Sequence, residues 1–267
     1  MAYRSGEIIV STANPLIKQV RSLLRRKTRY QERAFVVEGF RAVQDALGAN
    51  ADIRHLIVTE SALKQHTFPL EAHTARVVSD AVFRDISNVE APQGILAVVG
   101  MPAWDTFDGW ASRVSLAVVA DGLRDPGNLG TLLRSAAGAG VDFLVTADAS
   151  VDPFNPKVVR SAMGAHFRLP IYQETHERLD HVLAGVDQVV IAEADGDVSY
   201  DEIDFRRRTV LVIGGEAEGP LGHLEHPHTV RARIPLARGV ESLNAGVAGS
   251  LLVFEAARQR RTKSPAN

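Results

Sequence analysis

SLAVVADGLRDPGNLGTLLRSAAGAGVDFLVT, residues 115–146, is the stretch from which the fold can be read. Ser115–Ala120 is a short, almost wholly apolar run of the kind that forms a strand buried on both faces. Asp121–Gly127 is crowded with Gly, Asp and Pro and reads as a turn. A helix is expected over Asn128–Ala139, and a second apolar run, Phe143–Thr146, follows at once. Strand, helix, strand with short connections is the signature of a parallel unit.

The same alternation continues downstream. Helices are expected at Pro156–Met163, His176–Ala184 and Ser242–Arg261. Strands are expected at Leu169–Tyr172, Gln188–Ala192, Thr209–Ile213 and Val230–Ile234. The expected architecture is α/β, a mostly parallel sheet with helices on both faces. Ligands on such sheets sit beyond the carboxyl ends of the strands, which singles out the loops Asp121–Gly127, Gly214–Pro220 and Pro235–Glu241.

Upstream the elements are shorter. A first helix is expected from Asn14-Pro15 to Tyr30, capped by Asn14 with Pro15 at its first position. Strands at Phe35–Val37, Ile53–Val58, Arg76–Val78 and Ile95–Val99 alternate with helices at Gly39–Leu47, Ser61–Gln65 and Asp80–Ser87. Residues 1–100 therefore read as a small α/β domain and residues 114–267 as a second. Residues 101–113, turn-rich and without periodicity, read as a linker.

The chain has 267 residues, enough for two domains, with 45% hydrophobic and 23% charged residues, a globular balance. Its formal net charge is −2, so a nucleic-acid partner must be met by a local basic patch. Cysteine is absent, which excludes disulfides, thiolate catalysis and Cys-based zinc sites. No apolar run approaches a membrane span and the N-terminus has no secretory h-region, so a soluble, cytoplasmic protein is expected.

Three segments carry the candidate chemistry. In the first, backbone N–H groups at the start of the Asn128 helix suit an anionic or polar ligand. Asn128 itself reads as a helix cap, and Arg134, among small and apolar neighbours, either snorkels to water or is aimed into a site. In the second, TVLVIGGEAEGP (residues 209–220), apolar residues run into a glycine-rich acidic turn. It offers too few regularly spaced oxygens for a hard cation and by itself reads as a tight turn. In the third, Ser242 caps a helix rich in small residues (Ala245, Gly246, Ala248, Gly249, Ser250). These weaken helix propensity and imply close packing against another element. Leu243, Val247, Leu251 and Phe254 at helical spacing read as its core stripe.

Taken in order, these segments resemble the three motifs of the SpoU (TrmH) family of RNA ribose 2'-O-methyltransferases, of the knotted SPOUT class. Asp121, Asp125-Pro126, Asn128, Gly130 and Arg134 match the first, Gly214, Glu216 and Gly219 the second. Ile234-Pro235 and Ser242-Leu243-Asn244 match the third. The chain departs from the usual pattern at Gly215, Leu236 and Ala245-Gly246, none of which removes a polar group the chemistry needs. Asn14-Pro15, the basic helix, Phe35-Val36-Val37-Glu38-Gly39 and Arg41 look like the family's substrate-binding domain, which is similar in fold to certain ribosomal proteins.

The resemblance implies a deep trefoil knot, against the general rule that chains do not thread loops, and a homodimer. It implies S-adenosyl-L-methionine held by Gly214, Ile234 and Leu243, no metal, and chemistry by Asn128, Arg134, Glu216, Ser242 and Asn244. The substrate implied is RNA, with 23S ribosomal RNA favoured over tRNA by the ribosomal-protein-like front domain. Lys18, Arg21, Arg25, Arg26 and Arg29 on the first helix, with Arg41, are a solvated face on composition alone and an electrostatic RNA grip in that context. Two other readings compete, an RNA-binding protein with a vestigial transferase domain and a nucleotide-dependent dehydrogenase. The first predicts lost motif residues and the second a glycine fingerprint, and the sequence has neither feature.

Overall fold

The computed structural model describes residues 8–65, 75–110, 113–147, 149–214 and 226–261. The chain divides into two compact units, Met1–Pro102 with Phe154–Phe167, and Ala103–Pro153 with Arg168–Asn267.

The first unit runs α1 (Pro15–Ser22), α2 (Arg26–Glu32), β1 (Ala34–Glu38), α3 (Phe40–Gly48), β2 (Ile53–Thr59), α4 (Glu60–Gln65), β3 (Ala75–Val78), α5 (Asp80–Ile86) and β4 (Ile95–Gly100). Among the described residues its strands form a sheet in the order β1-β4-β2-β3. β4 is antiparallel to β1 and β2, and β2 is parallel to β3. Side chains alternate across it. Val36, Ile57, Leu96 and Val98 meet Ile17 and Val20 of α1 and Phe83 of α5 on one face. Phe35, Val37, Val58 and Val99 meet Val43 and Ala46 of α3 on the other.

The single first helix expected over residues 14–30 is two helices. After Ser22 the backbone tightens through Leu24 N–H to Arg21 O and Arg25 N–H to Ser22 O, and Arg25 turns extended at φ −92°, ψ 131°. The break strands the Leu23 carbonyl inside the fold. Arg29, only 2% exposed, turns inward and donates to that carbonyl at 2.8 Å. A buried carbonyl needs a donor, so Arg29 serves the fold and is not available to an RNA phosphate.

The second unit contributes β5 (Leu116–Asp121), α6 (Pro126–Ala139) and β6 (Phe143–Thr146). Next come α7 (Pro156–Ala162), which packs with the first unit, β7 (Ile171–Gln173) and α8 (His176–Leu183). β8 (Gln188–Ala192), β9 (Val198–Ser199), β10 (Thr209–Gly214), β11 (Thr229–Arg233) and α9 (Ala245–Arg261) complete it. Among the described residues the strands lie in the order β7-β6-β5-β10-β8-β11-β9, with every described pairing parallel. The mostly parallel α/β sheet expected from the alternation is present, and all of β5 is buried, as its apolar run implies.

Two local expectations differ. The segment read as a linker turns back onto the second unit, with Phe107 buried beside Phe143. Trp110 Nε1 donates to the Tyr172 hydroxyl at 2.8 Å, and that hydroxyl donates to the Asp105 carbonyl at 2.8 Å. A four-residue 3-10 turn, Phe107–Trp110, has no periodicity to betray it. On α9 the expected stripe faces outward: Val247, Leu251 and Phe254 are 44%, 40% and 46% exposed, whereas Ala245, Gly246, Gly249 and Ala256 are buried together with Leu252 and Val253. The stripe expected to be core is surface, because the close approach to α6 admits only small residues.

Candidate active site

β5 ends at Asp121 and the turn delivers Asp125 to the start of α6. Asp125 Oδ1 accepts from the Asn128 N–H at 2.8 Å, so Asp125 is the cap and Pro126 the first helical residue. Asn128, expected as the cap, lies inside the first turn at 8% exposure. With the cap supplied by Asp125, the Asn128 side chain bonds elsewhere, its Oδ1 accepting from Asn244 Nδ2 at 2.5 Å. That bond ties the first motif to the third.

Asn244 also begins α9. Its Oδ1 accepts from the Val247 N–H at 3.1 Å and its carbonyl from the Ala248 N–H at 2.9 Å. It is therefore the α9 cap, a role expected of Ser242, which stands before the helix. α9 then lies directly on α6. A Cβ at Gly246 would come within 2.8 Å of the Asn128 carbonyl oxygen, and one at Gly249 within 2.6 Å of Leu132 Cδ1. Ser135 and Ser250 hydroxyls meet across the same interface at 2.7 Å. The small residues of the third motif let two backbones approach and hold Asn244 against Asn128.

Beside this junction is a cavity of about 510 Å³, within the roughly 300–1,000 Å³ of small-molecule sites. It lies beyond the carboxyl ends of β8, β10 and β11, where ligands on parallel sheets belong. Gly214, Ile234 and Leu243, the expected cofactor residues, all line it, together with Ser242. Glu193 and Asp195 reach it from the loop after β8, and Arg231 ion-pairs with Glu193. Sequence reading missed these three. The strand-end rule that picked out the loops after β5, β10 and β11 applies equally after β8, where AEADGD begins at residue 192.

Arg134 is exposed on α6 and makes no hydrogen bond or ion pair among the described residues. Glu216 lies outside the described residues. Buried Asp121 Oδ1 accepts from Nε2 of the α8 residue His176 at 3.0 Å, a pairing across 55 positions with no sequence signal. Among the described residues no group of three His, Asp or Glu could hold a metal ion, and no helix is long and apolar enough to cross a membrane.

Of the basic residues, Lys18, Arg25, Arg26 and Arg41 are exposed on the first unit. Arg21 pairs with Asp85 of α5, and the Arg26 guanidinium lies 5.7 Å from the centre of the Tyr30 ring.

Residues 115–254 match the family model of the SpoU rRNA methylase family, and residues 14–97 that of the MRM3-like substrate binding domain. An uncharacterized tRNA/rRNA methyltransferase of Synechocystis is 34% identical, over 94% of each chain. The 23S rRNA guanosine 2'-O-methyltransferase RlmP of Bacillus subtilis is 29% identical over 92% of this chain and 97% of its own. Among solved structures, an AdoMet-bound rRNA methyltransferase from Sinorhizobium meliloti superposes with a TM-score of 0.81 at 31% identity, over 94% of this chain and 97% of that one.

Proposed function

The chain belongs to the SpoU rRNA methylase family, and we propose that it transfers the methyl group of S-adenosyl-L-methionine to a ribose 2'-hydroxyl of 23S ribosomal RNA in the cytoplasm. One observation carries this reading: the motif segments, far apart in sequence, are brought together, the first and third by the Asn128–Asn244 bond and the second and third, through Gly214, Ile234, Ser242 and Leu243, around one cavity at the strand ends. The names of similar proteins, RlmP and the AdoMet-bound enzyme among them, support both the rRNA substrate and the cofactor.

The cavity suits this cofactor. Gly214, Ile234 and Leu243 would hold it, largely by backbone contacts, and the Asp195 carboxylate complements a ligand bearing positive sulfonium and ammonium groups, the Glu193 charge being met by Arg231. Bound there, S-adenosylmethionine supplies a methyl group already activated by its positive sulfur. The protein's part is to bring the ribose oxygen within roughly 3 Å, in line. Arg134 is permanently cationic; it grips an RNA phosphate and polarises the 2'-hydroxyl. Asn128 and Asn244, bonded to each other, hold the start of α6 against the start of α9, and Ser242 orients the ribose at the cavity rim. Glu216 completes the site by hydrogen bonding to loop backbone or to Arg134.

Residues 14–97 supply the RNA grip through Lys18, Arg25, Arg26 and Arg41. The working enzyme is a homodimer. The exposed Val247, Leu251 and Phe254 stripe supports this, since an apolar face of this kind is covered by a second copy in a two-fold interface. The chain path of the second unit is a trefoil knot. It is supported by β10 lying between β5 and β8 while α9, after β11, returns to pack on α6.

Labelled methyl transfer to separated rRNA and tRNA tests the assignment. Incorporation into tRNA alone would overturn the rRNA reading. Arg134→Ala is expected to reduce transfer by roughly 10²-fold or more with an unchanged melting curve. Turnover near wild type in that variant would remove Arg134 from the chemistry.

A further inference from the structure

We propose that Lys157 and Arg160 of α7 are RNA phosphate contacts, so that the RNA grip of the first unit is built from two separate stretches of sequence. This rests on the RNA methyltransferase reading and adds to it two residues from outside 14–97.

α7 belongs in sequence to residues 115–254, the stretch that matches the SpoU rRNA methylase family, yet it packs with the first unit. Its seat is fixed at both ends. Asn155 Oδ1 accepts from the Lys157 N–H at 2.9 Å and Pro156 takes the first helical position, which starts the helix. Phe154, just before it, lies against Phe35 of β1 with ring centres 5.1 Å apart, and Val159 joins the same core as Phe35 and Val37. After the helix Gly164 turns at φ +79°, where a Cβ would stand 2.9 Å from Asp45 Cβ of α3. Val158 and Val159 are buried by this packing. Lys157 and Arg160, three residues apart and so neighbours on the helix surface, are exposed.

That exposed side adjoins the basic residues of α2 and α3. Arg160 shares a small hollow with Leu24, at the break between α1 and α2, and with Ala42 of α3. Arg25 follows Leu24 and Arg41 precedes Ala42. The Arg26 guanidinium lies over the Tyr30 ring, and that ring meets Phe154 edge-on at 6.4 Å between centres. Among the described residues none of these five cations is ion-paired. Glu38, the acid of the hollow, has its carboxylate oxygens taken by the Ser87 hydroxyl and the Asn88 N–H. Like charges gathered without counter-ions repel one another, and a polyanion with regularly spaced phosphates relieves that repulsion. In a chain of net charge −2 the surface is a local concentration of positive charge, and RNA backbone is the partner it fits.

Filter binding of transcribed, unmodified 23S rRNA over a range of KCl concentrations tests the proposal on the full chain. Each phosphate contact releases counterions, so its loss flattens the dependence of log K on log salt by about 0.7–0.9. Lys157→Ala and Arg160→Ala are each expected to flatten it by that amount, and the double variant by about 1.4–1.8. Arg160→Lys keeps the charge and is expected to keep the slope. Arg206→Ala removes an exposed cation of the second unit and is expected to leave the slope at its wild-type value. In methyl transfer the double variant raises KM and spares kcat. Its melting curve, and its affinity for S-adenosylmethionine measured by calorimetry, stay at wild-type values. A wild-type salt slope in the double variant overturns the proposal, as does an equal flattening in Arg206→Ala, which would mark an effect of net charge alone. Failure of the underlying reading is distinct: the wild-type protein would then methylate no RNA, whatever its salt slope.

Discussion

Gly246→Ala is the sharpest probe of the α6–α9 junction. In an ordinary helix this substitution gains about 1 kcal/mol. Here the added Cβ would stand 2.8 Å from the Asn128 carbonyl oxygen and 3.0 Å from Asn128 Cα. Both are backbone atoms of a packed helix and cannot swing aside. Overpacking of this kind costs about 1–3 kcal/mol, and its upper end applies where backbone is struck, so the net expectation is a loss of about 1–2 kcal/mol. For a chain of this size that corresponds to a fall in Tm of roughly 2–8 °C. The structure predicts a second effect. Relief of the clash moves α9 away from α6 and stretches the 2.5 Å Asn128–Asn244 bond, so methyl transfer falls along with stability. Gly138→Ala is the control: its Cβ would meet only Phe254 Cζ, at 3.7 Å, an ordinary contact. Thermal melting and methyl-transfer rates on both variants check the reasoning. A Gly246→Ala protein as stable and as active as wild type would show that the two helices are not in the contact described.

Asn244→Ala removes the α9 cap, worth about 1 kcal/mol, and leaves the buried Asn128 amide oxygen without its donor, a further cost of about 1–3 kcal/mol; chemical denaturation and turnover should both register it. Arg260, at the far end of α9, donates to the Ser115, Phe205 and Arg207 carbonyls at 2.8–2.9 Å. Its loss in Arg260→Ala should destabilise by roughly 2–4 kcal/mol, and Arg260→Lys should restore only part, since an ammonium cannot span three acceptors with a planar fork. The His55 imidazole is held below its ordinary 6.5 by burial first, then by Arg76 and Arg54. Its folded form resists protonation, so its contribution to stability is complete above 6.5 and shrinks as pH falls below it. An NMR titration of the ring should give a midpoint under 6.5.

What could be read from the sequence was local. β5, α6 and β6 announce themselves because burial on both faces demands an unbroken apolar run and a helix demands its own period. The site's ingredients were also legible, since residues 115–146 and 209–244 carry polar groups and glycines that neither strand nor helix requires. Partnership was not legible. Asn128 reads as a cap because a helix starts nearby, but which carboxamide or carboxylate takes the N–H is decided by the path of the turn, and Asp125 takes it. Arg29 reads as a surface cation until a helix break leaves the Leu23 carbonyl buried and in need of a donor. Val247, Leu251 and Phe254 of α9 read as core because bulk normally seeks the interior; the close approach of the α6 and α9 backbones at Gly246 and Gly249 puts small residues on the face toward α6 and leaves these three exposed, while Leu252 and Val253 are buried. The sequence by itself determined the α/β class and the positions of the strands other than the two-residue β9, consequences of near-neighbour periodicity, while the motif residues were picked out by their resemblance to a family pattern. The tertiary structure alone decided that β10 lies between β5 and β8, that 154–167 pack with the first unit, and that Asn128 meets Asn244. Those are contacts between remote segments, and their energy depends on shape that no local pattern encodes.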